Sequence, residues 1–302
     1  MRIKSQISWL NEHPGYGEKL MFSTNPFAVL SATVSADVMQ AFVMIMVLMV
    51  VGGTLFDVIH KRSAAFFYAK TKKAESARTR DVGSGEKVGI AIKTVASDVL
   101  TSSELCNPYR RIAHLLGMYG FVFFVVASAV MVFGYPTQAA PTPVLWPMLW
   151  HIGALMVCVG GGWFWFFIRV DVSAEGNPWN RVVKADLFIL SLLATCASGL
   201  VWSAVQFTGS VISTLCLVVF LISSSVLFGG VIWSKFAHMF FKPAAAYQKW
   251  VAKADGSRDN LPEIGDLSDP ELQKKFPDIR EYMGEKPAYM GLGIKREQPR
   301  HY

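Results

Sequence analysis

The chain has 302 residues, 52% of them apolar and only 17% charged, with a net charge of +7. That balance excludes a disordered chain and departs from a soluble domain, where about a quarter of residues carry charge. Four cysteines in this length exclude a disulfide scaffold.

Three uncharged runs set the fold class. Positions 38–56 form a run of 19 residues, 112–168 a run of 57, and 187–234 a run of 48. A membrane helix needs about 20 mostly apolar residues. Tyr135-Pro136, Pro141, Pro143 and Pro147 divide the second run, and Thr208-Gly209-Ser210 divides the third. Five spans follow, near Ala36–Ile59, Arg111–Gly134, Val144–Ile168, Lys184–Phe207 and Val211–Phe241. The last exceeds the need of a bilayer, so it tilts or extends past the surface. The expected fold is an all-α membrane protein, a five-helix transmembrane bundle with a cytoplasmic C-terminal extension. Met1 to Gly17 lacks an apolar core, so no secretory signal is expected.

The segment before the first span, 1–35, is expected outside the membrane. The connection from Lys61 to Tyr109 carries nine lysines and arginines, while 135–143 carries no charge and 169–183 has Arg169 and Arg181. The positive-inside rule places the first and third connections in the cytoplasm. In a bacterial inner membrane the N-terminus is then periplasmic and the C-terminus cytoplasmic. Within the first connection, Ala64–Lys73 reads as helical. The tail from Lys242 has nearly balanced charge and six prolines. Ser268 to Glu271 forms a capping box for a short helix through Phe276. The rest of the tail reads as an extended arm for docking a partner, or as a loosely packed terminus.

Ionisable groups in a bilayer are functional candidates by default. Of six histidines, His114 lies at the cytoplasmic end of the second span and His238 at that of the fifth. Two imidazoles at one depth on different helices suit a six-coordinate haem b; the alternative is a pair of interfacial histidines facing headgroups. His60, beside Lys61-Arg62, is a haem-side or quinone-site candidate, or an interfacial residue. His151, among Trp146, Met148 and Trp150, is a candidate to hydrogen-bond a quinone carbonyl, or a packed histidine of the aromatic belt. His13 and His301 lie in terminal segments. Cys106, Cys158, Cys196 and Cys216 are too scattered for a cluster or a structural zinc. Gly160-Gly161-Gly162 sits inside a span, where small residues permit close helix approach or leave room for a flat cofactor.

Several stretches resemble one family. They are Ala185-Asp186-Leu187-Phe188-Ile189-Leu190-Ser191-Leu192-Leu193 with Gly199-Leu200, then Trp233-Ser234-Lys235-Phe236-Ala237-His238 followed by Pro243 and Tyr247-Gln248-Lys249, and Arg111-Ile112-Ala113-His114 with Gly117. Over roughly 111–250 the chain resembles the gamma subunit of respiratory nitrate reductase and its relatives, the membrane subunits of the quinone-interacting oxidoreductase and of heterodisulfide reductase. The resemblance implies a five-helix membrane cytochrome b. It implies His114 and His238 as axial ligands of one haem b. The second pair that the family carries falls here on Phe124 and Phe220, so the distal haem is expected to be missing. The stretch from Gly265-Asp266-Leu267-Ser268-Asp269-Pro270-Glu271-Leu272 through Met290-Gly291-Leu292-Gly293-Ile294 is similar to the membrane anchor associated with adenylylsulfate reductase in sulfur-oxidising bacteria. That likeness implies a soluble cytoplasmic flavin and iron–sulfur partner, the adenylylsulfate reductase alpha and beta subunits, with this chain carrying electrons to or from quinone. The alternative function is a haem-free membrane scaffold. Neither reading makes this chain the bearer of substrate chemistry, and neither calls on nucleic acid.

Overall fold

The computed structural model describes residues 21–60, 63–105, 107–170, 178–233, 236, 238–257 and 270–275. Their regular elements are all helices, with no strand among the described residues. They divide into two compact units, one formed by Met1–Ala64 and Pro108–Lys242, the other by Ala65–Asn107 and Pro243–Tyr302.

The first unit is a bundle of five helices long and apolar enough to cross a membrane. The chain is a multi-pass membrane protein. After a short helix α1 (Pro26–Leu30), the spans are α2 (Ala36–His60), α5 (Pro108–Gly134), α6 (Leu145–Trp163, widening to a π turn through Ile168), α7 (Leu187–Val205) and α8 (Val211–Gly229). The second unit holds most of α3 (Ser63–Ser76) and all of α4 (Ser84–Lys93, widening to a π turn over Thr94–Val99). It also holds most of α9 (His238–Ala254) and the short α10 (Pro270–Lys275). The helix expected over Ala64–Lys73 is α3. The helix expected from Ser268 is observed as α10. The tail expected to be extended from Lys242 is instead helical as far as Ala254, in α9, and 258–269 and 276–302 fall outside the described residues.

In lipid, helices associate by van der Waals packing rather than by escape from water. The α5–α6 pair shows how. A Cβ on Gly120 would sit 2.6 Å from the Gly153 carbonyl oxygen, one on Gly153 would sit 2.7 Å from the Gly120 carbonyl oxygen, and one on Gly160 would sit 2.6 Å from the Ala113 carbonyl oxygen. The two backbones touch where side chains are absent. Gly160 belongs to the glycine run, and its neighbour Gly161 receives Leu193 of α7; Gly162 faces open space. The choice between helix packing and cofactor room therefore goes to packing for the first two of these glycines.

Above and below this contact the bundle is filled with rings. Phe124 of α5 stacks on Trp150 of α6 at 5.1 Å, and Phe220 of α8 stacks on Trp202 of α7 at 5.7 Å. Trp150 and Phe220 meet edge-on at 6.5 Å. A second group, Phe121, Phe188, Phe228 and Phe236, packs with centroids 5.5–6.3 Å apart.

Residues 21–35, before α2, fold onto the bundle, which the sequence did not suggest. Asn25, buried, caps α1 by accepting from the Phe27 and Ala28 amides at 3.0 and 3.2 Å. Its amide nitrogen donates to the Tyr135 carbonyl at 2.9 Å and to Thr142 Oγ1 at 3.0 Å. This ties α1 to the loop between α5 and α6. Phe27 then meets both Trp150 and Trp202 at 5.9 Å.

The fifth span is shorter than expected. It stops at Gly229, passes through a tight turn over Gly230–Ile232, and the chain begins a separate helix at His238. Two consecutive glycines are poor helix formers. Here they also make space, since Met49 lies against Gly229 and Leu187 lies against Gly230.

Candidate functional site

The expected site residues all lie in the first unit, and the structure treats them differently. His114 sits two turns before Phe121 on α5, so the two share one face of that helix. At Phe121 this face is closed by contact with Phe228 and Phe236 at 6.3 Å. At His114 the side chain is exposed. The ring contact thus lies two turns inside the exposed His114. His238 follows Phe236 by two residues and is the first residue of α9. The contact between Phe121 and Phe236 thus brings the two histidine-bearing segments to the same end of the bundle. His238 is not carried on α8, because the break at Gly229-Gly230 precedes it.

His60 ends α2 at that same end, exposed, with its ring stacked on Phe56 at 4.8 Å. His151 is at the other end and wholly buried. Its Nδ1 lies 2.7 Å from the Pro147 carbonyl oxygen and its Nε2 lies 2.8 Å from Ser203 Oγ. A carbonyl oxygen only accepts, so Nδ1 carries the proton and Nε2 accepts from the serine hydroxyl. Phe22 and Trp150 cover the ring at 5.2 and 4.9 Å. With both nitrogens committed, His151 meets a quinone carbonyl only if Ser203 or Pro147 releases it. His13, His301 and Cys106 lie outside the described residues. Cys158, Cys196 and Cys216 are free thiols, and no group of three metal-ligating side chains occurs among the described residues.

Phe124 and Phe220, the positions that the family resemblance pairs with a distal haem, are both buried and lie 6.5 Å apart edge-on. Trp150 packs against both of them, and a Cβ on Gly199 would reach Phe220 at 3.2 Å and Trp150 at 3.3 Å. This layer is filled by side chains at contact distance.

Two charged features escaped the sequence reading. Asp57 is buried on α2, on the stripe that runs through Met39, Met46 and Gly53. It lies one residue past the uncharged run, inside the expected span Ala36–Ile59. The second is the pair Arg169–Asp186, with Arg169 only 1% exposed. Arg169 donates to Asp186 Oδ2 at 2.6 Å, to the Arg181 carbonyl at 2.6 Å and to the Pro178 carbonyl at 3.0 Å. Its guanidinium lies 4.3 Å from the centroid of Trp165. Asp186 also accepts from the Val183 amide at 3.0 Å. The planar fork of arginine suits this many-sided contact. It fastens the end of α6, the connection and the start of α7 into one corner.

A groove of about 440 Å³ runs beside the break in α8, lined by Met49, Leu187, Leu221, Gly229, Gly230 and Trp233 among others. Its lining is almost wholly apolar, and Ser225 supplies a hydroxyl. Compared with family models, curated proteins and solved structures, the chain gives no significant match.

Proposed function

We propose that this chain is a membrane anchor and electron-transfer subunit. It carries electrons between a soluble cytoplasmic flavin and iron–sulfur oxidoreductase, of the adenylylsulfate reductase kind, and quinone, through one haem b held by His114 and His238. The observation that carries this reading is the ring contact of Phe121 with Phe236. It draws together the two segments that bear these imidazoles, at an end of the bundle where His114 remains accessible. A bound haem would supply one-electron transfer, and imidazole ligation with the surrounding polarity would set its potential. The chain's own part is position and exclusion. Phe121, Phe188, Phe228 and Phe236 form an apolar floor that keeps water from the ligand side. The filled layer of Phe124, Trp150 and Phe220 supports a path with a single haem.

The basic connection after α2 supports a cytoplasmic location for this end. That connection and the C-terminal arm are then the docking face for the soluble partner. The N-terminus is periplasmic and the membrane is the bacterial inner membrane. Quinone sites are apolar clefts with few polar groups. The groove at Gly229-Gly230 has that character and lies at the same end as His60 and His114, which favours it over the sealed His151.

A second reading, a haem-free scaffold that only tethers the soluble complex, is favoured by one observation. α8 ends at Gly229 and His238 opens a different helix, so this histidine is not carried on the fifth span itself. A reduced-minus-oxidised visible spectrum of the purified chain, with haem counted per polypeptide, separates the two. The proposal expects about one b-type haem, lost in both His114→Ala and His238→Ala. A preparation that binds its partner but shows no haem band overturns it in favour of the scaffold.

A further inference from the structure

We infer that the helix α4 with its π turn lies in the membrane interface, with an aliphatic stripe set into an anionic lipid surface. The observation is a row of exposed aliphatic side chains on a helix whose other side makes polar contacts. A helix on a water-soluble unit turns its apolar stripe inward. Here polar groups meet α9 instead. Trp250 of α9 donates its indole N–H to Asp98 at 2.6 Å, and the Lys93 ammonium lies 4.1 Å from the centroid of the same ring. Thr94 is buried on that side.

The opposite side holds Val88, Ile92 and Val95, which are 58%, 65% and 51% exposed. Their spacing of four and three residues places them on one face. The π turn extends the row. The Leu100 amide donates to the Val95 carbonyl at 2.9 Å, so a step of five residues returns Leu100 over Val95. Leu100 is 47% exposed. Among the described residues none covers this face at its glycines: a Cβ on Gly85 or Gly89, which stand among these residues, would meet no atom within 4 Å.

Three arguments choose a lipid surface as the occupant. Lys87 stands on a shoulder of the stripe, where its long cationic side chain reaches phosphate while the aliphatic row enters the acyl boundary, and the connection that holds the helix carries nine lysines and arginines. The row contains only aliphatic side chains, whereas protein interfaces concentrate aromatic residues, methionine and arginine. Eight residues, 100–107, separate this helix from Pro108, which opens a span. At about 3.5 Å per residue that tether holds the helix within about 28 Å of the bilayer entry point of α5.

The test places a nitroxide on the full chain, in a background with its four cysteines replaced by alanine, reconstituted in vesicles of phosphatidylcholine with phosphatidylglycerol. Val88→Cys, Ile92→Cys and Val95→Cys are labelled one at a time, and Ala77→Cys, exposed at the end of α3, is the control. The accessibility to oxygen and to a water-soluble nickel chelate is read at each site. The inference expects an oxygen-to-nickel ratio several-fold higher at all three stripe positions than at 77, and higher with phosphatidylglycerol than without it. Nickel access equal to that at 77 puts the stripe in water and overturns the inference. Exclusion of both reagents means that protein covers it, and overturns it as well. Three sites keep the result independent of any one variant that fails to fold. Haem content plays no part in the readout, so its outcome is separate from the electron-transfer reading.

Discussion

The close approach of α5 and α6 gives a sharp prediction. In Gly153→Ala the new methyl group falls 2.7 Å from the Gly120 carbonyl oxygen and 2.8 Å from the Phe124 amide nitrogen. Ordinary contact begins at 3.4 Å, so the helices must part by about 0.7 Å. Both obstructing atoms are backbone, and no rotamer change removes them. Overpacking of this kind costs about 1–3 kcal/mol. Alanine returns up to about 1 kcal/mol through its helix propensity. The net expectation is a loss of about 1–2 kcal/mol. Gly162→Ala is the control on the same helix, since its methyl group would meet nothing within 4 Å. That variant gains the propensity term alone. The two proteins should differ by about 2–3 kcal/mol, which on the usual size scaling is on the order of 5 °C or more in Tm. Thermal unfolding in mild detergent, followed by tryptophan fluorescence, reads the difference. A Gly153→Ala protein that melts with or above Gly162→Ala would refute the backbone contact between these helices.

Other outcomes follow from charges and backbone geometry. Asp186→Ala leaves Arg169 buried without its carboxylate and should cost about 3–5 kcal/mol, with Asp186→Asn costing less; Tm in detergent checks both. Burial alone would raise the Asp98 carboxyl, but hydrogen bonds from Ser103, Trp250 and Ser97, with the nearby Lys249 charge, hold it below the ordinary value of 3.8. Because its folded value is lowered, its contribution to stability is present above pH 3.8 and is lost as pH falls through the folded value. Asp98→Asn should therefore flatten the acid limb of an unfolding-versus-pH curve, and an unchanged limb would count against the contact with Trp250. Gly256 has φ of +77°, and a Cβ there would clash with Thr79 Oγ1. Gly256→Ala should destabilise the second unit by at least about 1 kcal/mol, measurable as faster hydrogen exchange at Thr79 and Arg80, whose amides donate to the Asp255 carbonyl.

Much of the architecture was present in the sequence, because a bilayer imposes a length and polarity rule that each segment must satisfy alone. The runs free of charge and the prolines after Gly134 located four spans within a few residues. The same rule failed at the end of the fifth. Val211–Phe241 reads as one apolar helix, and the stop at Gly229 becomes visible only when Met49 and Leu187 are seen to occupy the space of two missing side chains. The candidate histidines were also legible, since ionisable groups stand out in apolar runs. Their environments were not. His114 and His151 look alike in the sequence, yet one is exposed and the other is closed in by Pro147, Ser203, Phe22 and Trp150. Arg169 and Asp186 read as ordinary residues at span ends because the partner of each is 17 positions away.

Composition and local periodicity by themselves determined that this is an all-α membrane bundle of five spans, and which residues were chemically notable. Tertiary structure decided the rest: the glycine contact between α5 and α6, the aromatic filling at Phe124 and Phe220, and the docking of α1 by Asn25. It also decided which face of α4 is left outward. The physical reason is common to all of these. Each depends on which side chains from distant segments compete for the same volume, and a one-dimensional pattern records hydrophobicity but not who fills the space.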